Sequence, residues 1–171
     1  MDFYLHRSIN IVPIVVVDYS LSNLTFDDDR KCIHTLKPGM KNDYEDVLRA
    51  LMSGYKHVSE FMMGFGIGAK TIPKKGEASD CLSLTGDIFS PTFAVDELYD
   101  KYAESLKNVE LSLPVNYAKV VELAAAYARY EKENYECRNY FVLTFVSVGV
   151  IDDFADTLDA LKNMGDLPLS V

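Results

Sequence analysis

The sequence Ile9-Asn-Ile-Val-Pro-Ile-Val-Val-Val-Asp18-Tyr-Ser-Leu-Ser-Asn23 decides the fold. Its first part is almost entirely apolar and rich in β-branched residues. Such a run predicts a strand that is buried on both faces, as in the middle of a parallel sheet. Pro13 has no backbone N–H to donate, so we expect it near the start of this strand or at an irregularity.

Polar oxygen atoms follow this strand directly. Asp18, Ser20 and Ser22 alternate at i, i+2 and i+4. Ligands of open α/β sheets bind at the carboxyl ends of the strands, and carboxylate and hydroxyl oxygens suit a hard cation such as Mg²⁺. The alternative is an ordinary strand exit, in which the hydroxyl groups bond to the local backbone. The spacing alone leaves both interpretations open.

Length and charge limit the classes of protein. A chain of 171 residues with 49% apolar and 25% charged residues is typical of one globular domain. Its net charge of −9 argues against nucleic-acid binding, which needs clustered Lys and Arg. The same charge argues against direct binding of anionic membranes by the general surface of the domain.

Cysteine usage and hydropathy point to a cytoplasmic, soluble protein. Cys32, Cys81 and Cys137 are scattered and form no metal-binding spacing, which favours a reduced compartment over a disulfide framework. The residues before Ile9 contain no long apolar core of a signal peptide. The longest apolar stretch, Tyr140–Ile151, is too short to span a bilayer.

The rest of the chain alternates predicted strands and helices, which implies a mainly parallel sheet with helices on both faces. Residues 1–8 are expected to be a lead-in or linker, and Asp27–Asp29 a solvated loop. The predicted strands are Ile9–Val17, Cys32–Leu36, Phe61–Phe65, Cys81–Leu84, Tyr140–Val146 and Leu167–Val171. The predicted helices are Asp43–Ser59, Pro91–Lys107, Pro114–Glu133 and Asp152–Met164. A turn is expected at Lys37–Gly39 and a polar loop at Glu131–Arg138.

Helical spacing of apolar residues identifies the buried faces of three helices. Asn42 is the expected N-cap of the first helix, with Glu45 three residues later as in a capping box. The predicted buried side chains are Tyr44, Val47, Leu48, Leu51, Met52 and Tyr55 in the first helix, Phe93, Leu98, Tyr102 and Leu106 in the second, and Tyr117, Val120, Val121, Ala124 and Ala128 in the third.

The glycine-rich run Gly64–Gly68 follows a predicted strand. It lacks both the dinucleotide-binding spacing and a following Gly-Lys-Ser/Thr, so it does not predict a phosphate-binding loop. Close approach of two backbones or a tight turn is the better interpretation.

Several separated stretches together resemble the von Willebrand factor A domain of copines. The resemblance runs in order over nearly the whole chain from Ile9, so the domain is expected to span residues 9–171. It is carried by Asp18-Tyr19-Ser20-Leu21-Ser22-Asn23, by Gly64-Phe65-Gly66-Ile67-Gly68-Ala69-Lys70, by Gly149-Val150-Ile151 with Ala155-Asp156-Thr157, and by Leu167-Pro168-Leu169-Ser170-Val171.

The resemblance implies a metal-ion-dependent adhesion site that this chain only partly retains. Asp18, Ser20 and Ser22 match the family ligands, whereas Val115 stands where the family has a Thr and Val148 where it has an Asp. We therefore expect no cofactor and no tight Mg²⁺ or Mn²⁺ binding, unless another acid such as Asp152 completes the coordination. We also expect the methyl groups of Val115 and Val148 to fill part of the site.

The resemblance further implies a non-enzymatic protein-interaction module, in a protein that works in the cytoplasm or at a membrane through calcium-dependent lipid-binding domains absent here. The partner would bind at the carboxyl-end face of the sheet, which includes Asn23, Asn116, Asp152 and Asp153. The alternatives are the A domain of a copine-like RING ubiquitin ligase, an indirect membrane adaptor and an enzyme of doubly wound fold. The enzyme lacks a visible nucleophile–base pair, because His6, His34 and His57 are isolated.

The last predicted strand, Leu167–Val171, stops at the end of the sequence. We therefore expect an excised domain with a truncated C-terminal strand. An exposed sheet edge of this kind invites pairing with a second copy of the chain.

Overall fold

The computed structural model describes residues 9–24, 32–72, 81–149 and 151–171. Asp27–Asp29 therefore lie outside the described residues. In chain order the strands are β1 (Asn10–Asp18), β2 (Phe61–Ile67), β3 (Ala69–Thr71), β4 (Leu82–Ser83), β5 (Thr92–Ala94), β6 (Val109–Leu111), β7 (Asn139–Val146) and β8 (Leu169–Ser170), and the α-helices are α1 (Asp43–Tyr55), α2 (Leu98–Ser105), α3 (Ala118–Asn134) and α4 (Phe154–Lys162).

The sheet is mainly parallel and has β1 at its centre. Its strand order is β4-β2-β1-β7-β8, and β5 also pairs with β2. β1 pairs in parallel with β2 and with β7, and β8 continues the parallel part beyond β7. β4 and β5 run antiparallel to β2. β1 and β7 are thus parallel neighbours, and most side chains of β7 are only half buried.

Side chains of β1 alternate between two cores, because successive residues of a strand point to opposite faces. Ile14 and Val16 belong to the core under α3 and α4. Val15 and Val17 belong to the core under α1 and α2. All four are at most 1% exposed. The predicted α/β architecture with helices on both faces is therefore confirmed, and it is the von Willebrand A-like fold.

Pro13 lies inside β1 without breaking it. It pairs with Val142 of β7, whereas pairing with β2 begins one residue later, at Ile14. Pro13, which has no N–H to donate, therefore directly precedes the first residue of β1 that pairs with β2. This agrees with the expectation that it lies near the start of the strand or at an irregularity.

Two predicted elements are wrong. The stretch Cys32–Leu36 is a single bridge from Leu24 to Cys32 followed by a turn, not an edge strand. The predicted helix Pro91–Lys107 is shorter and begins later, because Thr92–Ala94 pairs with the edge of β2 and a 3₁₀ turn at Val95–Glu97 precedes α2. Thr92 is β-branched and Phe93 is aromatic, and both residue types favour strands. Pro91 directly precedes the strand, a position at which proline is accepted.

Helix boundaries also differ from the predicted ones. α1 ends at Tyr55 instead of Ser59, and Val47 on it is 44% exposed. Its predicted cap is present, because Asn42 Oδ1 accepts the Glu45 N–H at 2.7 Å, while the Glu45 carboxylate binds Arg49. α3 ends at Asn134, one residue beyond the predicted helix end at Glu133, so the predicted polar loop at 131–138 begins later than expected.

The glycine-rich run serves close packing and a turn, as predicted. A methyl group added at Gly66 would lie 2.5 Å from Tyr19 Cε2, and one at Gly64 would lie 2.7 Å from Phe93 Cε1. Gly68 has a φ of +70°, which ordinary side chains rarely adopt. The run therefore brings β2 against aromatic rings and turns the chain away from β1.

The substitution Gly66→Ala should destabilise the domain by roughly 1–3 kcal/mol, because the new methyl overpacks the contact with the Tyr19 ring. The matched control is Gly54→Ala in α1, where an added methyl meets nothing within 4 Å. That control should stabilise the helix by roughly 0.5–1 kcal/mol. Urea denaturation measures both, and equal effects of the two changes would contradict this account of the glycine run.

β8 lies at one edge of the sheet, where Leu169 pairs with Phe141 and Ser170 with Val142. Self-association through this edge stays a prediction. Within the described residues, none of the helices is long and apolar enough to cross a membrane.

Candidate functional site

Three loops meet at the carboxyl end of the sheet. The first loop (residues 18–24) follows β1, the second loop (112–117) precedes α3, and the third loop (147–149 and 151–153) follows β7. The Leu21 N–H donates to the Ser112 carbonyl at 3.1 Å, and the Asp152 N–H donates to the Val115 carbonyl at 3.3 Å. The backbone thus joins the first loop to the second and the second to the third.

The carboxylate of Asp18 lies at the centre of these loops and is completely buried. Its Oδ1 accepts the Ser20 N–H at 2.8 Å. Its Oδ2 accepts the Ser147 hydroxyl at 2.7 Å. Ser147 in turn accepts the hydroxyl of Tyr117 and, at 3.1 Å, the N–H of Gly149. Asp18 therefore ends a hydrogen-bonded chain that runs from α3 through the third loop.

The backbone carbonyl of Asp18 is held equally firmly. Asn23 Nδ2 donates to it at 2.9 Å, and His34 Nε2 lies 2.9 Å from it. The hydroxyl of Tyr44 is 3.1 Å from the same oxygen and 2.8 Å from Asn23 Oδ1. These contacts fix the point at which the chain leaves β1, independently of any ligand.

His34 is a buried, neutral member of this support. A carbonyl oxygen can only accept, so Nε2 must carry the ring proton, and Nδ1 then accepts the Tyr102 hydroxyl at 2.9 Å. The ring stacks on Tyr44 with centroids 4.1 Å apart. Burial lowers the pKa of His34 from 6.5 to about 4, against the smaller opposing effect of its bond to the Asp18 backbone.

The stability of the domain should therefore fall with acidification between about pH 6.5 and pH 4. Because the pKa of His34 is lower in the folded state than in the unfolded state, protonation favours the unfolded chain. The stability that the neutral His34 ring contributes is therefore complete above pH 6.5 and is lost as the pH falls to about 4. The loss attributable to His34 should reach roughly 3 kcal/mol. Urea denaturation across this range measures it, with NMR titration of the ring to assign it.

His34→Gln supplies the matched test, with His57→Gln at the exposed histidine as control. The first change should flatten the slope of stability against pH between 6.5 and 4, and the control should keep it. A native slope that survives His34→Gln would show that other groups produce it.

Asp152 and Asp153 bind backbone N–H groups of the second loop and of the start of α3. Asp152 Oδ2 accepts the Val115 N–H at 2.8 Å. Asp153 accepts the N–H groups of Tyr117 at 3.0 Å and Ala118 at 2.8 Å. Asp153 thus caps the positive end of α3 from outside the helix, at the point where the helix begins, while Asp152 holds the second loop through Val115.

The residues of the predicted partner face have different environments. Asn23 is buried, so its side chain supports the first loop and is not available to a partner, contrary to our expectation. Asn116 and Asp153 are half buried, and Asp152 is exposed.

The two valines also differ. Val115 is buried in the core under α3 and α4, whereas the side chain of Val148 is 57% exposed. The expectation that Val148 fills the site with methyl groups is wrong. Ser147, one residue earlier, points at Asp18, so the next side chain turns to solvent.

Asp18, Ser20 and Ser22 lie in the first loop, but they do not provide the ligand set that a magnesium site needs. The Ser20 hydroxyl is buried and, within the described residues, has no hydrogen-bond partner, as an incomplete site would leave it. No cluster of three acidic, histidine or cysteine side chains able to hold a metal is present in the described part of the chain. Mg²⁺ requires near-octahedral oxygen coordination at about 2.1 Å. Asp18 with two hydroxyl groups does not supply it, so these residues do not fit the ion.

Gly149 lies beside the same carboxylate. A methyl group at this position would lie 3.2 Å from Asp18 Oδ2 and 3.3 Å from Ser22 Oγ. The absence of a side chain at Gly149 therefore avoids a tight contact between the third loop and these two oxygens.

Sequence reasoning missed Ser147, Tyr117 and His34 as members of the site. Ser147 follows a buried strand directly, as Asp18 does, so the same logic of polar residues after a strand could have found it. Tyr117 was predicted only as a core residue. His34 lies 16 positions from Asp18 in sequence, and no local pattern connects them.

Exposed apolar side chains also occur on the loops that meet at this end of the sheet. Each of the three loops contributes one, and the first residue of α4 contributes a fourth. Their exposed fractions are 38% for Leu21, 49% for Leu113, 57% for Val148 and 64% for Phe154.

The fold defines a von Willebrand A-like α/β domain. Comparison with known proteins specifies the family: the copine family model matches residues 32–171, so the chain belongs to the copine family. The match starts after the first loop and does not include Asp18, Ser20 or Ser22.

A similar protein is nicotinic receptor-associated protein 1 of Caenorhabditis briggsae, which is 28% identical over 162 residues. The alignment covers 92% of this chain and 25% of that protein. The chain thus spans about a quarter of the length of the curated relative that it matches.

Proposed function

We propose that this copine-family domain is a non-enzymatic protein-interaction module, and that its partner binds at the carboxyl-end face of the sheet. The main support is the set of four exposed apolar side chains at this end of the sheet. Exposed apolar groups on connected loops are typical of interaction sites. Backbone hydrogen bonds between the loops hold the face in one conformation before a partner binds. Binding therefore loses less conformational entropy than it would at flexible loops.

The polar groups of the face support binding better than catalysis. Both ring nitrogens of His34 are engaged, and burial keeps the ring neutral. Both oxygens of Asp18 accept hydrogen bonds from the protein. A general base needs a free lone pair within reach of its substrate, and neither buried group offers one to solvent.

The relative suggests a class of partner. Its name says that it is associated with a nicotinic receptor. We propose that this chain likewise binds a membrane receptor from the cytoplasm, while domains outside this sequence provide calcium-linked recruitment to the membrane. The partner segment should present apolar side chains to Leu113, Val148 and Phe154.

The change Val148→Lys should weaken binding at least about tenfold, because a charged side chain would replace an apolar contact at the centre of the interface. Val58→Lys is the matched control, since Val58 is 55% exposed and precedes β2 at the other end of the sheet. Biolayer interferometry against detergent-solubilised nicotinic receptor measures both. Unchanged affinity in Val148→Lys and in Phe154→Ser, with binding by the native chain, would place the interface elsewhere.

Association of two copies through β8 is a separate proposal. Light scattering at increasing protein concentration tests it, and a constant monomer mass at high concentration would contradict it.

A further inference from the structure

We infer that the Ser147 hydroxyl takes the place of the metal ion in this site, so that the carboxyl-end face is assembled without a cation. A cation in such a site would balance the charge of the central carboxylate and tie the loops together. Here Ser147 supplies a hydrogen-bond donor to the carboxylate, at 2.7 Å from Asp18 Oδ2, and ties the third loop to the first. This inference stands apart from the choice of partner.

The direction of each hydrogen bond follows from the number of donors. A hydroxyl group has one proton and two lone pairs. The lone pairs of Ser147 are occupied by the Tyr117 hydroxyl and by the Gly149 N–H. Its own proton must therefore go to Asp18, and no lone pair remains for a cation.

Tyr117 is suited to be the donor at the start of this chain. Burial raises the pKa of its hydroxyl, so the group keeps its proton at neutral pH. Its ring packs on Phe145 with centroids 4.8 Å apart, which holds the hydroxyl toward Ser147. The chain Tyr117–Ser147–Asp18 thus links α3, the third loop and the first loop in one fixed order.

The other acids of the face do not supply the missing charge. Asp152 accepts the N–H of Val115 in the second loop, and Asp153 accepts the N–H groups of Tyr117 and Ala118 at the start of α3. Using Asp153 for a cation would uncap that helix, and using Asp152 would leave the Val115 N–H without this acceptor. Among the described residues, Ser20 Oγ is a buried oxygen without a hydrogen-bond partner. One neutral hydroxyl does not hold a divalent cation.

The first experiment is a titration of the native chain with MnCl₂ followed by electron paramagnetic resonance, together with thermal melts in EDTA and in millimolar Mn²⁺. We expect no saturable site that depends on Asp18 and the same melting temperature in both buffers. Weak binding that is unchanged in Asp18→Asn agrees with this result, because the acidic surface can attract Mn²⁺. Saturable binding that Asp18→Asn abolishes, or a melting temperature that falls in EDTA, would overturn the inference.

The second experiment isolates the hydroxyl with two substitutions of nearly equal shape, Ser147→Thr and Ser147→Val. The melting temperature of the Val variant should be several degrees below that of the Thr variant. Ser53→Ala at an exposed position of α1 is the control and should show no loss. Equal melting temperatures of the Thr and Val variants would overturn the role of Ser147.

A double-mutant cycle separates the hydrogen-bonded chain from general packing. Tyr117→Phe keeps the ring and removes only the hydroxyl. Combined with Ser147→Val it should cost less than the sum of the two separate losses, because the Tyr117 hydroxyl acts through Ser147. If the losses of the two single variants simply add in the double variant, the proposed series of hydrogen bonds from Tyr117 through Ser147 to Asp18 is contradicted. Should Ser147→Val fail to fold, the manganese titration still decides the inference.

Discussion

The hydrogen bonds that converge on Asp18 are the constraint on which the carboxyl end of the sheet depends. β1 is covered on both faces, so the first polar residue after its apolar run is buried together with its charge. A buried carboxylate is tolerated only when the protein supplies donors, because its desolvation costs several kcal/mol. Those donors come from the first and third loops, while Asn23 and His34 hold the backbone carbonyl. The positions of the loops follow from this requirement.

The two faces of the sheet support this centre in different ways. Below α1 and α2 lies a layer of aromatic and polar groups, in which Tyr19 bonds Ser105 at 2.6 Å and Tyr102 bonds His34. On the other face, α3 presents small buried residues such as Ala124 and Ala128, which let the helix approach the sheet closely. The polar layer fixes the backbone of Asp18, and the apolar layer fixes α3 and with it Tyr117. Ser147 connects the two.

The sequence predicted the fold better than the site. Local sequence patterns depend little on distant residues. Such patterns predicted the apolar strands β1 and β7, the alanine face of α3 and the close contacts of the glycine-rich run. The sequence predicts too early a start for α3 because its capping residue, Asp153, comes from a distant loop. The role of Ser147 depends on three loops meeting at one point. The spacing of Asp18, Ser20 and Ser22 could not reveal that a hydroxyl from the third loop is hydrogen-bonded to the carboxylate.

A face in which Ser147 replaces the cation, as we propose, must obtain its binding energy from other sources. In a metal-dependent site, a partner carboxylate completes the coordination and contributes a strong directional bond. Under this proposal each oxygen of Asp18 accepts a hydrogen bond from the protein, and apolar contact supplies the binding energy. Fully burying one large apolar side chain contributes roughly 1.5–3 kcal/mol, part of which offsets the entropy lost on association. The four exposed apolar side chains at this end of the sheet therefore suit a partner that is recognised by shape and apolar contact instead of by an acidic residue.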